Sequence, residues 1–324
     1  MNDRTPAELR ARAADVEVRE VLHAVPPHDV FEVEVDGRRA VCKVSVDERG
    51  AAGVEGRTLR RVDRETSVPV PEILDVGSNW FLAAYRGDAP EEPPDDDRVL
   101  ETAWLRAAGR TLATLHEDAR FDRPGLLAID GDPSDPASGL RVDAPSGATW
   151  PDALDDLLAI YERSVAGTGY ADAIVEVRDF LSAHAERFAA LEGTTASLLH
   201  GWFTPDHVAV AGGEATCVID FEHALAGNPE WDYWRTAIAL FRAGGWDGPD
   251  DAESTFRDAY ESVRPLPTGF DERADAYRAF VAASHLDSLA TQRGIDDETR
   301  EVAAFLSTHV TEAVDNCRES WADG

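Results

Sequence analysis

The chain has 324 residues, 43% of them hydrophobic, with 63 acidic against 31 basic side chains and a net charge of −32. That length and apolar content suggest about two domains or lobes with sizeable cores, and the negative charge argues against a nucleic-acid partner, whose phosphates it would repel. No run approaches the ~20 apolar residues of a membrane span, the charged start MNDRTPAELRARAADVEVRE lacks the apolar stretch of a secretory signal, and Cys42, Cys217 and Cys317 are too few and scattered for a disulfide framework or zinc site, so no membrane partner and a cytoplasmic location are expected.

In chain order, residues 6–23 space Leu9, Ala13, Val16, Val21 and Leu22 as one face of a helix. DVFEVEV (30–36) alternates as a strand, Asp36-Gly37 is a hairpin turn, and RRAVCKVSV (38–46) is the return strand, with Cys42 and Val44 on one face and Val41 and Lys43 on the other. Residues 51–65 read as a short helix bearing Glu55 and Leu59, 67–77 as an extended, proline-punctuated connection, and NWFLAAY (79–85) as a third strand. RGDAPEEPPDDDR (86–98) is the expected linker. Beyond it the pattern turns helical: 101–117, 152–166, 171–191, a helix from about Pro229, then 250–263, 271–291 and 297–317. Residues 118–150, rich in Pro, Gly and Asp, read as a long loop, and 197–228 as loops around two short strands, VAV and TCVIDF, at a Gly-Gly turn. The expected organisation is α+β: a β-rich part at 1–85, the linker at 86–98, and a mostly helical part at 99–324.

Acidic residues run along the whole chain, and Lys43 is the only lysine. An acidic cleft for cationic substrates is one reading; the spread of the acids and the scarcity of lysine favour the other, a surface adapted to very high salt, where a Debye length of ~3 Å lets charge steer ligands little. Arginine supplies every other positive side chain. A retained lysine suits a place where a compact ammonium must reach between phosphate oxygens, which a planar guanidinium does differently.

The stretch LLHGWFTPDHVAVAGGEATCVIDFEHALAGNPEWD resembles the core of the aminoglycoside phosphotransferase and choline kinase-like family, whose pattern is H-G-D-x-x-x-x-N, a hairpin, I-D-[FW]-[EG] and G-[DN]-P-x-x-D. Here the blocks are His200-Gly201-Trp202, Ile219-Asp220-Phe221-Glu222 and Gly227-Asn228-Pro229 with Asp232, and LATLHE matches the family's L-x-x-L-H at His116. The resemblance implies a two-lobed protein-kinase-like fold with a small β-rich N-lobe and a larger, mostly helical C-lobe. It also implies ATP and Mg²⁺ as cofactors and a small-molecule hydroxyl as acceptor. Lys43 would hold nucleotide phosphates and pair with Glu55. Backbone near Ala83, Ala84 and Tyr85 would meet adenine. Asp220 would ligate the metal, with His207 standing where the family usually has an asparagine ligand. His200 and Asp232 would brace the catalytic loop.

Two departures stand out. No glycine-rich loop precedes Lys43, and Trp202 occupies the place of the catalytic aspartate. That carboxylate accepts the substrate's hydroxyl proton, whereas an indole is only a donor. Asp206, four residues on in the TPDH segment, is a candidate substitute base from a different backbone place. A pseudokinase that binds nucleotide or a partner without turnover is therefore the alternative. A metal-dependent hydrolase using His200, His207 and Asp220 is a third reading, with no recognisable zinc spacing behind it.

Overall fold

The computed structural model describes residues 6–91, 93, 94, 98–189 and 196–322, so the expected linker at 86–98 and the end of the helix expected to 191 fall partly outside the described residues. The chain opens with α1 (Ala7–Arg12), but the helix expected to reach residue 23 stops there, and Val16–Val25 is instead a strand, β1. Its β-branched residues favour an extended backbone. Its pairing with β2 (His28–Val35) slips between Val18 and Glu20 and again between Val21 and His23. Each slip breaks the two-residue alternation, leaving apolar spacing that imitates a helix face.

β2 turns into β3 (Arg38–Ser45) at Asp36 and Gly37, whose positive φ angles of 50° and 79° suit a tight hairpin. With β4 (Ile73–Val76) and β5 (Trp80–Ala84) these strands form one sheet, in the order β1-β2-β3-β5-β4. One face buries Phe31, Val33, Cys42, Val44 and Leu82 against Leu9 of α1. On β3, Lys43 takes the opposite parity, on the side covered by α2 (Ala52–Glu65). That helix lies unusually close to the strands: a Cβ on Gly53 would sit 2.2 Å from Ser78 O, and one on Gly56 2.5 Å from Phe81 Cβ. Its first N–H groups are satisfied from the sheet, Ala52 N–H by Ser45 Oγ and Ala51 N–H by His28 Nε2.

The second lobe contains α3 (Thr102–Asp118), α4 (Trp150–Ser164), α5 (Ala171–Ala183), α6 (Glu230–Ala237), α7 (Ala252–Glu261), α8 (Ala274–Gln292) and α9 (Arg300–Ala322). They pack around Trp150, Phe180, Trp231, Trp234, Tyr260 and Phe280. The long loop expected at 118–150 in fact carries β6 (Arg120–Phe121), β7 (Gly125–Asp130) and β8 (Gly139–Val142). With β9 (Ala196–Leu199) and β12 (Leu225–Gly227) they form a second sheet, in the order β6-β9-β12-β7-β8. These strands are too short, and too flanked by Gly and Pro, to show period-two alternation. The expected hairpin is present as β10 (Val208–Ala211) and β11 (Glu214–Val218). The fold is thus α+β, with a sheet lobe and a helical lobe. Among the described residues no helix is long and apolar enough to cross a membrane, and all three cysteines are free and buried.

The β7–β8 turn is strapped to α2. Arg57, only 3% exposed, donates to the carbonyls of Pro133 and Asp135 (both 2.9 Å) and Ser138 (3.0 Å). It also reaches Gly53 O (2.9 Å) and Gly77 O (2.8 Å). Arg60 and Arg12 add bonds to Pro136 O and Ser134 O, each 2.8 Å. One guanidinium therefore ties the helix bearing Glu55 to its own sheet and to the other lobe. Replacing Arg57 by Ala takes this donor from two buried carbonyls, Gly53 and Gly77, and three part-buried ones and should lower unfolding free energy by on the order of 3 kcal/mol in urea titrations. Arg57→Lys should recover less than half, since an ammonium has three donors and no fork; an unchanged midpoint in the alanine variant would rule the strap out as a stabiliser.

Candidate active site

β3, α2 and the segment after β11 bring four charged side chains to one buried point. Lys43 Nζ lies 2.6 Å from Asp220 Oδ1, 2.9 Å from Glu55 Oε2 and 2.9 Å from Glu222 Oε2. Lys43 and Glu55 are 7% and 2% exposed. Burial opposes charge on the ammonium, but Asp220, Glu55 and Glu222 together hold its pKa well above the ordinary lysine value. Burial pushes the Glu55 carboxyl up to about 8 against the pull of Lys43. Asp220 is also disfavoured by burial, yet Lys43 and His207 hold it well below the usual carboxylate range. Three acids thus face one ammonium in a low-dielectric place, and burial leaves Glu55 the weakest acid of the three.

Asp220 is aimed by its backbone. It is one of two non-glycine residues described with positive φ, at 65°, a conformation that costs an ordinary side chain energy and is held by surrounding structure. Ile219 N–H donates to His207 O (3.0 Å) and Val218 N–H to Pro69 O (2.7 Å), fixing the chain on both sides of the hairpin. Glu222, two residues on, has its Oε2 2.9 Å from Nδ1 of His28, the ring whose Nε2 takes the Ala51 N–H. Glu222 stood in the matched block without a role, and its spacing from Asp220 was the available signal; nothing in the sequence pointed to His28.

The loop at 200–207 is held by one buried carboxylate. Asp232 accepts from His200 N–H (2.5 Å) and Gly201 N–H (2.6 Å), and from His116 Nε2 (3.1 Å), while Tyr260 OH donates to His116 Nδ1 (2.8 Å). His200 takes the Trp202 N–H on Nδ1 (3.2 Å) and gives its Nε2 proton to Ile219 O (2.9 Å). That is a neutral ring, in keeping with a pKa lowered to about 4 by burial and by His207. Gly201 has φ 89°, and a Cβ there would sit 2.5 Å from His223 Cβ.

His207 sits beside Asp220 but does not join the carboxylate cluster as a lone-pair donor. Its Nδ1 faces Trp202 O (2.9 Å) and its Nε2 faces Asp220 Oδ2 (3.2 Å), so both nitrogens donate. Burial disfavours that cation, but Asp220 and Asp206 raise its pKa to about 9. Holding a metal there would require the ring to give up the Nε2 proton that faces Asp220. The stretch expected to meet adenine is paired within the sheet. Ala83 lies between β3 and β4 partners, Ala84 N–H donates to Glu72 O (2.8 Å) and Tyr85 N–H to Arg39 O (3.4 Å), so the donors at 84 and 85 are already engaged. Trp202 is packed against His285, with ring centroids 5.3 Å apart, and under the Arg235 guanidinium at 5.2 Å.

The donor set suits a hard divalent cation: one carboxylate oxygen each from Glu55, Asp220 and Glu222 lie within 4.8 Å of one another.

The profile of the phosphotransferase enzyme family (APH) matches residues 27–266, and the chain belongs to that family. No curated protein sequence matches it. Solved structures share its fold. A Thermobifida fusca protein assigned as a fructosamine-3-kinase is 22% identical over 96% of this chain and 94% of that one, with a TM-score of 0.59. A thermostable mutant of aminoglycoside phosphotransferase APH(4)-Ia, in ternary complex with ADP and hygromycin B, is 18% identical over 95% and 96%, at 0.63. A Ralstonia eutropha protein assigned as an aminoglycoside phosphotransferase is 14% identical over 96% of both chains, at 0.64.

The His207 ion pair has a pH signature. Because the folded ring keeps its proton up to about 9 and the unfolded one releases it near ~6.5, the stabilisation is full below the unfolded value and lost as pH rises through the folded one. Urea midpoints in metal-free buffer should fall between those pH values, and fall less in His207→Asn. Equal falls in both proteins would exclude the pair as their cause.

Proposed function

We infer that this chain is an ATP- and Mg²⁺-dependent phosphotransferase acting on a hydroxyl of a small molecule. The observation that carries the reading is Lys43 Nζ, held by Glu55 from its own lobe and lying 2.6 Å from Asp220 of the other. In this reading Lys43 grips phosphate oxygens, Glu55 orients it, and Asp220 and Glu222 hold the metal. The metal, when bound, supplies positive charge to the phosphoryl oxygens. Lys43 then gives up some of its carboxylate contacts to reach phosphate, which its flexible stem allows. The solved relative bound to ADP and hygromycin B supports a nucleotide and a polyhydroxylated acceptor. The acceptor of this chain lies against the helical lobe.

Trp202 favours a second reading, a protein that binds nucleotide without turnover. General-base help is worth 10²–10⁴-fold, about 3–5 kcal/mol of barrier, so its loss can leave binding intact while turnover falls.

The test has two arms, both in multimolar KCl. ATP with Mg²⁺ should raise the Tm of the wild type, by up to ~2.7 kcal/mol of stabilisation at a hundred times Kd, and Lys43→Arg should lose most of that gain; equal gains would show that the ammonium does not grip phosphate. Incubation with sugars, amino alcohols and aminoglycosides should give product that Asp220→Ala abolishes. Binding without product across the panel selects the second reading. The acidic surface is read as salt adaptation, so Tm should also climb between about 0.1 M and about 1 M KCl as the Debye length shrinks from ~10 Å to ~3 Å; a flat or falling profile would remove that reading.

A further inference from the structure

Trp202 removes the acid from its usual place in the catalytic loop, yet a carboxylate lines the same cleft. The cleft, about 350 Å³, has Trp202, Thr204, Asp206, Trp246 and His285 among its walls, and among the described residues Asp206 is the only carboxylate lining it. His207 and Val208 N–H both donate to Thr204 O, at 2.9 and 3.0 Å, closing a turn at Pro205-Asp206. The Asp206 side chain is 24% exposed, open to a bound molecule. Its Oδ2 lies 3.6 Å from His207 Nε2, and the same nitrogen lies 3.2 Å from Asp220 Oδ2. One imidazolium edge therefore stands between the cleft carboxylate and the carboxylate read as holding the metal. Trp202 itself is fixed, its ring packed against His285 and Arg235 and its carbonyl accepting from His207 Nδ1.

We propose that Asp206 accepts the proton of the substrate hydroxyl, doing from four residues further along the loop what the missing aspartate does in the family pattern, and that the Trp202 ring forms part of the wall against which the substrate lies. The proposal rests on the phosphotransferase reading above. In the step, the hydroxyl oxygen forms a bond to the γ-phosphorus of ATP. The bond from that phosphorus to the β–γ bridging oxygen breaks, and its electron pair leaves on ADP. The hydroxyl proton passes to an Asp206 oxygen and from there to solvent, which the side chain's exposure permits. An indole face and N–H at 202 fit a ring with one apolar side and peripheral hydroxyls.

The rival proton acceptor is His285, on the same cleft wall, whose ring burial and Arg235 hold down to about 4. It packs on the Trp202 ring, whereas Asp206 is the group linked through His207 to Asp220.

The experiment follows phosphoryl transfer from ATP with Mg²⁺ to sugars, amino alcohols, aminoglycosides and water, for wild type, Asp206→Asn, Asp206→Glu, His285→Gln and the double variant Trp202→Asp/Asp206→Asn. Asp206→Asn should lower kcat by ~10²–10⁴-fold with KM for ATP within about twofold of wild type. Asp206→Glu should recover part of the rate, and the double variant should recover turnover from the family's own position. An ATP-dependent rise in Tm matching the wild type's shows that Asp206→Asn is folded. Turnover of Asp206→Asn within about threefold of wild type overturns the proposal and leaves the phosphotransferase reading standing. A loss confined to His285→Gln overturns it in favour of the histidine. Absence of transfer by the wild type to every acceptor overturns the proposal and the reading together.

Discussion

A single ammonium surrounded by three carboxylates is the constraint around which this molecule is built. Lys43, Glu55, Asp220 and Glu222 come from a strand, a helix and the turn after a distant hairpin, and they meet within 2.9 Å of one nitrogen. Such a cluster is a poor way to gain stability, because the desolvation of buried charges offsets much of their attraction. It is a good way to hold the two lobes in one arrangement, since removing the lysine leaves three acids buried beside one another and uncompensated.

The scaffold serves that geometry at each side. Close packing at Gly53 and Gly56 lets α2 approach β5, and caps from Ser45 and His28 hold its first turn. Arg57 then locks the same helix to the β7–β8 turn of the other lobe. Opposite, Asp232 gathers the main chain of His200 and Gly201, and His200 reaches Ile219 next to Asp220. The loop that carries Trp202 and Asp206 is thus braced from the core side while its cleft side stays open.

Much of the site was legible because it depends on local pattern. Lys43 stood out as the one lysine in an arginine-only background, and its place on the return strand follows from a two-residue turn that only certain residues make. Asp220 was found at the end of an apolar run. His207 was not legible as a cation, because the protonation of a ring is set by what faces its two nitrogens, and Trp202 O and Asp220 Oδ2 are known only from the fold. Glu222 lay in plain view without a direction, since a spacing of two residues in a turn does not say where a side chain points. The β1 strand was read as helix because two register slips broke its alternation.

By itself, the sequence determined the order of strands and helices where periodicity or turn chemistry is strong, the two-part α+β division, the family, and the residue types that could grip phosphate and metal. Only the tertiary structure decided which of the chain's many acids meet the ammonium, that Arg57 joins the lobes, and that Asp206 shares a cleft with Trp202. The physical reason is range. Backbone propensity and capping act over a few residues and leave their mark on the sequence, whereas the Lys43–Asp220 pair spans 177 positions, and contacts of that kind exist only once burial has brought distant segments together.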